Sequence, residues 1–246
     1  MKENKYDDAA FFQQYSQMPR SVLGLQGAGE WHALKKLLPD FQGKRVLDLG
    51  CGFGWHCRYA AEGGAGQVVG IDLSRRMLQQ AKERNHAPNI TYRRMSMEEY
   101  EYPAGEFDVV ISSLAFHYVE DFASLSRKVA RCLKEEGDFV FSVEHPVFTA
   151  HGTQEWYCDG EGVPLHWPVD RYFEEGKRTA CFLGERVVKY HRTLTTYLGC
   201  LLQAGFSITA VVEPMPAPEM LAAIPQMKEE LRRPMMLLVA AKKKRQ

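Results

Sequence analysis

The sequence predicts an α/β protein built on an open, mostly parallel sheet with helices on both faces. Three observations predict it. Short apolar runs alternate with segments of helical period between Arg45 and Val143. The first run, Val46-Leu47-Asp48-Leu49, opens onto Gly50-Cys51-Gly52-Phe53-Gly54, and the next, Gln67 to Ile71, ends in Asp72. Alternation of this kind places parallel strands beneath crossover helices. Glycine permits positive φ and lets another molecule approach the main chain closely. Open α/β sheets bind ligands at such strand ends, where the strand order reverses. A carboxylate closing the second strand suits a ribose diol, so the two turns together indicate a nucleoside-type cofactor.

Each element follows from local pattern. Tyr6 to Tyr15 and Glu30 to Leu38 carry apolar and aromatic residues at helical spacing and precede the first strand. Arg45 to Leu49 is the first strand, and a helix runs from about Gly54 to Glu62. Gln67 to Ile71 is the second strand, after which Ser74 caps a helix reaching about Asn85. Ile90 to Arg94 and Phe107 to Ser112 are strands three and four. Asp121 opens a helix ending near Leu133, and Asp138 to Val143 is strand five. After His145-Pro146 the pattern breaks: His151 to Gly184 is rich in Gly, Trp, Tyr and charge without a sustained period. Such length suggests an inserted lid or substrate segment. Thr193 to Ala204 is a helix stopped near Gly205, and Phe206 to Val212 and Met235 to Ala241 are the last strands. Pro214, Pro216 and Pro218 keep the connection between them out of the sheet.

At 246 residues the chain suits one domain with an insertion. We divide it into an N-terminal helical cap (1–43), a cofactor-binding half (44–145), an inserted lid (146–190) and a C-terminal helix with a strand pair completing the same domain (191–246). The 31 basic and 31 acidic side chains cancel, which argues against a broad phosphate-binding surface and so against nucleic acid as the substrate. The basic tail Lys242-Lys243-Lys244-Arg245 reads as a solvated end after the last strand. Six scattered cysteines form no C-x-x-C pair, so neither a zinc nor a redox site is expected. No apolar run is long enough for a bilayer and the first residues lack a signal-peptide pattern, so a cytoplasmic protein without membrane partners is expected. Monomer and homodimer both remain open.

The spacing Gly50-x-Gly52-x-Gly54 resembles motif I of the class I S-adenosylmethionine-dependent methyltransferases. The position three after Gly52 is Trp55, where a dinucleotide fingerprint wants a third small residue. Asp72-Leu73-Ser74 with Met77-Leu78 and Ala81 resembles that family's second segment, Phe107-Asp108-Val109-Val110 its fourth strand, and Lys134 to Phe141 its fifth. The resemblance implies a Rossmann-like seven-stranded sheet with an antiparallel last strand. It also implies S-adenosylmethionine as cofactor and S-adenosylhomocysteine as product. Asp48 would support the loop and the cofactor ammonium. Gly50, Cys51 and Gly52 would supply bare backbone, Asp72 and Leu73 the ribose contacts, and Met77 an apolar wall. Ser96 stands where the family commonly has an aspartate that accepts from the adenine amino group, while the Met97 amide would read the ring edge. Leu114 would offer its carbonyl to the methionine ammonium, with Tyr15 and Arg20 closing from the N-terminal segment and Arg20 pairing with the methionine carboxylate.

For the chemistry, His117 after strand four and His145 after strand five are the candidate catalytic residues, since histidine changes charge near neutrality. His191, where the insertion rejoins the fold, reaches the same mouth. Trp156, Tyr157, Trp167, Tyr172 and Phe173 either wall off solvent around a flat or cationic acceptor or form the insertion's own small core. The resulting expectation is methyl transfer to an oxygen or nitrogen of a small molecule. The alternatives are a methyltransferase acting on protein or RNA, and a non-catalytic binder of the cofactor.

Overall fold

The structure, a computed structural model, describes residues 4–245, without the side chains of residues 225 and 226. Helices α1 (Ala9–Ser16), α2 (Pro19–Val22) and α3 (Trp31–Leu37) precede β1 (Arg45–Leu49). Then come α4 (Trp55–Glu62), β2 (Gln67–Asp72), α5 (Arg75–Arg84), β3 (Ile90–Arg94), β4 (Phe107–Ser113), α6 (Phe122–Cys132) and β5 (Leu133–Glu144). Helix α7 (Pro146–Thr149) leads into two small hairpins, β6 (Tyr157–Cys158) with β7 (Pro164–His166), and β8 (Gly176–Phe182) with β9 (Glu185–His191). Helix α8 (Leu194–Gln203), β10 (Phe206–Val212), α9 (Pro218–Ala223) and β11 (Met236–Lys243) complete the chain.

One seven-stranded sheet has the order β10-β11-β5-β4-β1-β2-β3. The pairs β1–β2, β2–β3, β1–β4 and β4–β5 are parallel, and β11 runs antiparallel to both β5 and β10. Side chains alternate across a strand, and here the alternation divides two cores. Leu47, Leu49, Val110, Phe139, Phe141 and Val239 pack with residues of α6 and α8 on one face. Val46, Val68, Val109, Val140 and Leu238 pack with α3, α4 and α5 on the other. The helices start where their caps say. Ser74 accepts from the Met77 amide, Asp121 from Ser124 and Thr193 from Thr196, each such cap contributing roughly 0.5–2 kcal/mol.

The order turns back between β1 and β4, so their C-terminal ends open a crevice beside one another, where an α/β sheet takes its ligand. Three local expectations change. Strand β5 begins at Leu133 directly after α6, with a register shift against β4. The insertion holds two hairpins. The basic tail is partly sheet: Lys242 pairs with Asp138 (2.7 Å) and Lys243 with Glu135 (3.0 Å), tying the end of β11 to the start of β5.

Candidate active site

The glycine turn is built by its neighbours. Both the Gly50 and the Cys51 amides donate to the Ile71 carbonyl at 2.9 Å, folding the loop over the end of β2. Gly50 (φ 74°) and Gly52 (φ 53°) are left-handed, but their missing side chains serve different ends. A Cβ on Gly50 would stand 2.5 Å from the Ala115 Cβ, so glycine there permits packing. A Cβ on Gly52 would meet nothing within 4 Å, so glycine there leaves backbone facing open space. Asp72 braces this loop: its Oδ2 accepts from the Gly52 amide (2.9 Å) and its Oδ1 from the Ser74 amide (2.8 Å). Burial pushes its carboxyl up to about 6 against those two bonds.

Tyr15, Arg20, Gly50, Gly52, Asp72, Leu73, Met77, Ser96, Met97 and Leu114 line one cavity of about 200 Å³, together with His117. Three residues expected at the site stand elsewhere. Asp48 lies under the loop, 1 % exposed, where it accepts from the Cys57 thiol (3.2 Å) and burial raises it to about 7. Cys51 borders a second cavity of about 70 Å³ on the N-terminal side of the turn. His145 turns away from the main cavity: its Nδ1 caps α7 by accepting from the Val147 amide (3.0 Å), and its Nε2 faces the Glu213 carboxylate at 2.9 Å, off the line of a hydrogen bond. His191 is also engaged structurally, between the Thr149 hydroxyl and the Tyr172 carbonyl. Of the lid aromatics, Trp167 stacks on Phe148 and meets Trp156 edge-on, all three around the Arg233 guanidinium, which makes them core of the insertion, while Phe173 is 89 % exposed.

His117 is 2 % exposed and burial pulls its imidazole down to about 4. Its Nδ1 accepts from the Glu144 amide across 3.5 Å. A neutral ring holding its acceptor nitrogen inward suits orientation better than proton abstraction, because a general base works best with a pKa near the working pH. Ser96 spends its hydroxyl on Glu99, donating to Oε2 (2.9 Å) and accepting from the Glu99 amide (3.3 Å). Leu114 is left-handed (φ 51°), pinned by its amide donating to the Ser142 carbonyl (2.9 Å) and hydroxyl (3.1 Å). Such a conformation costs a non-glycine residue about 1–3 kcal/mol.

The methyltransferase domain family matches residues 47–141, the span from β1 through most of β5. A solved structure from Listeria monocytogenes assigned as an S-adenosylmethionine-dependent methyltransferase is 58 % identical, with TM-score 0.86 over 90 % of this chain and all of its own. One from Mesorhizobium loti of the same description is 47 % identical, with TM-score 0.83 over 89 % of this chain and all of its own. An uncharacterised methyltransferase of Synechocystis is 32 % identical over 76 % of this chain and 79 % of its own. The chain belongs to the class I S-adenosylmethionine-dependent methyltransferases.

In this methyltransferase the cofactor is S-adenosylmethionine, and the residues present fit it. The bare backbone at Gly52 and the Asp72 carboxylate stand together at the strand ends. The Ser21 hydroxyl and the Trp55 indole N–H, both on walls of the second cavity, are buried without a partner among the described residues. The methyltransferase site also contains residues that sequence pattern did not single out. Glu30, 1 % exposed, takes Arg20 Nη2 on both carboxylate oxygens (2.8 and 2.7 Å) and the Ser113 hydroxyl on Oε1 (3.1 Å). Glu144 lines the cavity from the end of β5 and is held by Lys189 (2.6 Å) and Gln154 (2.7 Å). Tyr6 and Tyr118 share a hydrogen bond between hydroxyls (3.0 Å), and Phe182 reaches in from the β8–β9 turn. The one available signal was position: Glu144 and Tyr118 follow strands whose ends were expected to face the ligand. No helix among the described residues is long and apolar enough to cross a membrane.

Proposed function

We propose that this methyltransferase moves a methyl group to an oxygen or nitrogen of a small-molecule acceptor by in-line displacement. One observation carries the reading. The chain partly covers its own crevice, with Tyr6 and Tyr15 from the N-terminal segment and Phe182 from the insertion, leaving a partly enclosed space lined by aromatic and methionine side chains. Enclosed, mostly apolar pockets with a few polar groups suit small ligands. We read residues 1–43 as the cap and 146–190 as the lid. The six cysteines are free thiols, in keeping with a reducing cytoplasm.

The bound cofactor supplies a methyl group already activated on a sulfonium sulfur, so the protein's work is binding and alignment. Asp72 would accept from both ribose hydroxyls, with Leu73 beside it. Met77 and Met97 would wall the adenine, with Ser96 and the Met97 amide at its edge. Leu114 would turn its carbonyl to the methionine ammonium, and Arg20, already joined to Glu30, would stand at the carboxylate. Tyr15 would close this end. His117 would orient the acceptor. Alignment of that kind supplies up to roughly 7–11 kcal/mol of the barrier. His145 has no part in this mechanism.

Labelled-methyl transfer from S-adenosylmethionine tests the proposal across a metabolite panel, with bulk tRNA and protein as parallel acceptors. Label in a small molecule is expected. Label entering only tRNA or protein would overturn the proposal, and tight cofactor binding with no transfer to any acceptor would favour a non-catalytic binder.

A further inference from the structure

Around the far end of the cavity, charge and proton-accepting capacity are unusually constrained. Among the described lining residues the carboxylates are Asp72 and Glu144, and the guanidinium is Arg20, already neutralised by Glu30. Asp72 belongs to the cofactor end, tied to Gly52 and Ser74. That leaves Glu144, whose Oε1 is held by the buried Lys189 (2.6 Å) and Oε2 by Gln154 (2.7 Å), with His117 beside it. The Lys189 ammonium is not itself among the lining groups; it lies 5.5 Å from the Phe182 ring centroid. Tyr6 stands edge-on to both Tyr15 (5.1 Å) and Tyr118 (6.2 Å), and these rings and Phe182 line the same cavity as Glu144.

We propose that the methyl acceptor is an amine entering as its free base, its nitrogen seated between the Glu144 carboxylate and the rings of Tyr6, Tyr118 and Phe182. This rests on the small-molecule reading above. A neutral hydroxyl acceptor must lose a proton as it is methylated, and the groups at this end are poor bases: His117 sits at about 4 and Glu144 is held below the ordinary carboxylate range by His117 and Lys189 despite burial. Tyr6 and Tyr118 are pushed up by burial and stay protonated. An anionic acceptor needs no base, but it would find no unspent cation among the described groups at this end, since Arg20 is engaged by Glu30 and Lys189 by Glu144. A free amine needs neither a base nor a counter-cation. Its lone pair forms the new N–C bond, the C–S electron pair stays on sulfur, and the positive charge passes from sulfur to nitrogen. The ammonium product then loses its proton to water. Aromatic faces and a carboxylate stabilise that charge throughout.

The test is binding of benzyltrimethylammonium against its uncharged isostere neopentylbenzene and against benzoate, with and without S-adenosylhomocysteine, beside methyl transfer to matched benzylic amines, alcohols and acids. We expect the ammonium probe to bind at least about tenfold more tightly than either competitor, and label to enter nitrogen. The paired substitution Glu144→Gln with Lys189→Met removes both charges at similar volume and should erase that preference. Phe182→Leu, an apolar exchange at the end of β8 outside the two cores of the main sheet, should weaken it about threefold to tenfold if the pair fails to fold. Equal or tighter binding of neopentylbenzene or benzoate, or methylation at oxygen, would overturn the amine assignment while leaving small-molecule transfer standing. Label confined to tRNA or protein would overturn both.

Discussion

Replacing Arg20 with methionine separates a buried ion pair at the cofactor cavity from the rest of the fold. Glu30 is 1 % exposed, and Arg20 Nη2 supplies two contacts, 2.8 and 2.7 Å, to its carboxylate; without it only the Ser113 hydroxyl remains among the side-chain donors described above. Removing one partner of a buried pair costs about 3–5 kcal/mol, because the survivor is left charged in a poor solvent. For a chain of this size that lowers Tm by roughly 6–20 °C. The pH dependence follows from the same pair. Arg20 holds the Glu30 carboxyl below its ordinary value against the upward push of burial. In the native protein this contributes stability above the unfolded value, about 4.3, which is lost as pH falls through the lower folded value. In Arg20→Met burial dominates and the folded value lies above the unfolded one. Protonated Glu30 then favours the fold at low pH, and that contribution vanishes as pH rises through the folded value. The deficit should therefore be largest at neutral pH and shrink towards pH 5. Urea unfolding of wild type, Arg20→Met, Glu30→Gln and the double variant at pH 5 to 8 measures it, with the double variant recovering most of the loss. A single-variant cost below about 1 kcal/mol, independent of pH, would show a solvated pair and refute the reasoning.

Other perturbations act at separate points. Asp72→Ala should lower affinity for S-adenosylmethionine by about 30- to 1000-fold in calorimetry, the equivalent of one or two hydrogen bonds to a charged group. In the wild type, affinity should rise as pH passes about 6, because the ligand's hydroxyls need the ionised Asp72, while the free protein loses stability from about pH 4 to 6 because the carboxyl ionises in the unfolded chain before it does in the fold. Gly52→Ala should keep the fold within roughly 1–2 kcal/mol yet weaken cofactor binding, whereas Gly50→Ala should first lower Tm by forcing Ala115 aside; the comparison is thermal unfolding against titration. Burial holds both His56 and His117 at about 4, so stability present above pH 6.5 should fall as pH drops towards 4. Replacing either by Gln should flatten that acid limb in denaturant titrations.

Much of the sheet was legible because local pattern and tertiary demand agreed. Strands at Arg45–Leu49, Ile90–Arg94 and Phe206–Val212 have the expected bounds, each an apolar or alternating run between turn residues. The lid hairpin β8–β9 is hidden in the sequence for the opposite reason. It does alternate, but the inward positions include Arg178, Lys189 and His191, so a pattern of polar against apolar residues hides the period. The positive-φ glycine turn and the strand-end position of Asp72 are legible because adjacent residues carry both. Glu30 is not: its carboxylate becomes a site feature only when α3 brings it to Arg20 and to Ser113, 83 residues further along the chain. His145 misled because it follows a strand end, yet Pro146 starts a helix there and the ring is used as its cap.

The carbonyl of Ile71 accepts both amides that begin the glycine turn, while the Ile71 side chain is fully buried in the core. One residue therefore anchors the loop through its main chain and the interior through its side chain. Small losses of packing beneath β2, such as Ile71→Val, would tilt that anchor and emerge as a weakened grip on the nucleoside, far out of proportion to any fall in melting temperature. Variants at interior positions that never touch the ligand would then be mistaken for contact residues in any screen scored on activity alone.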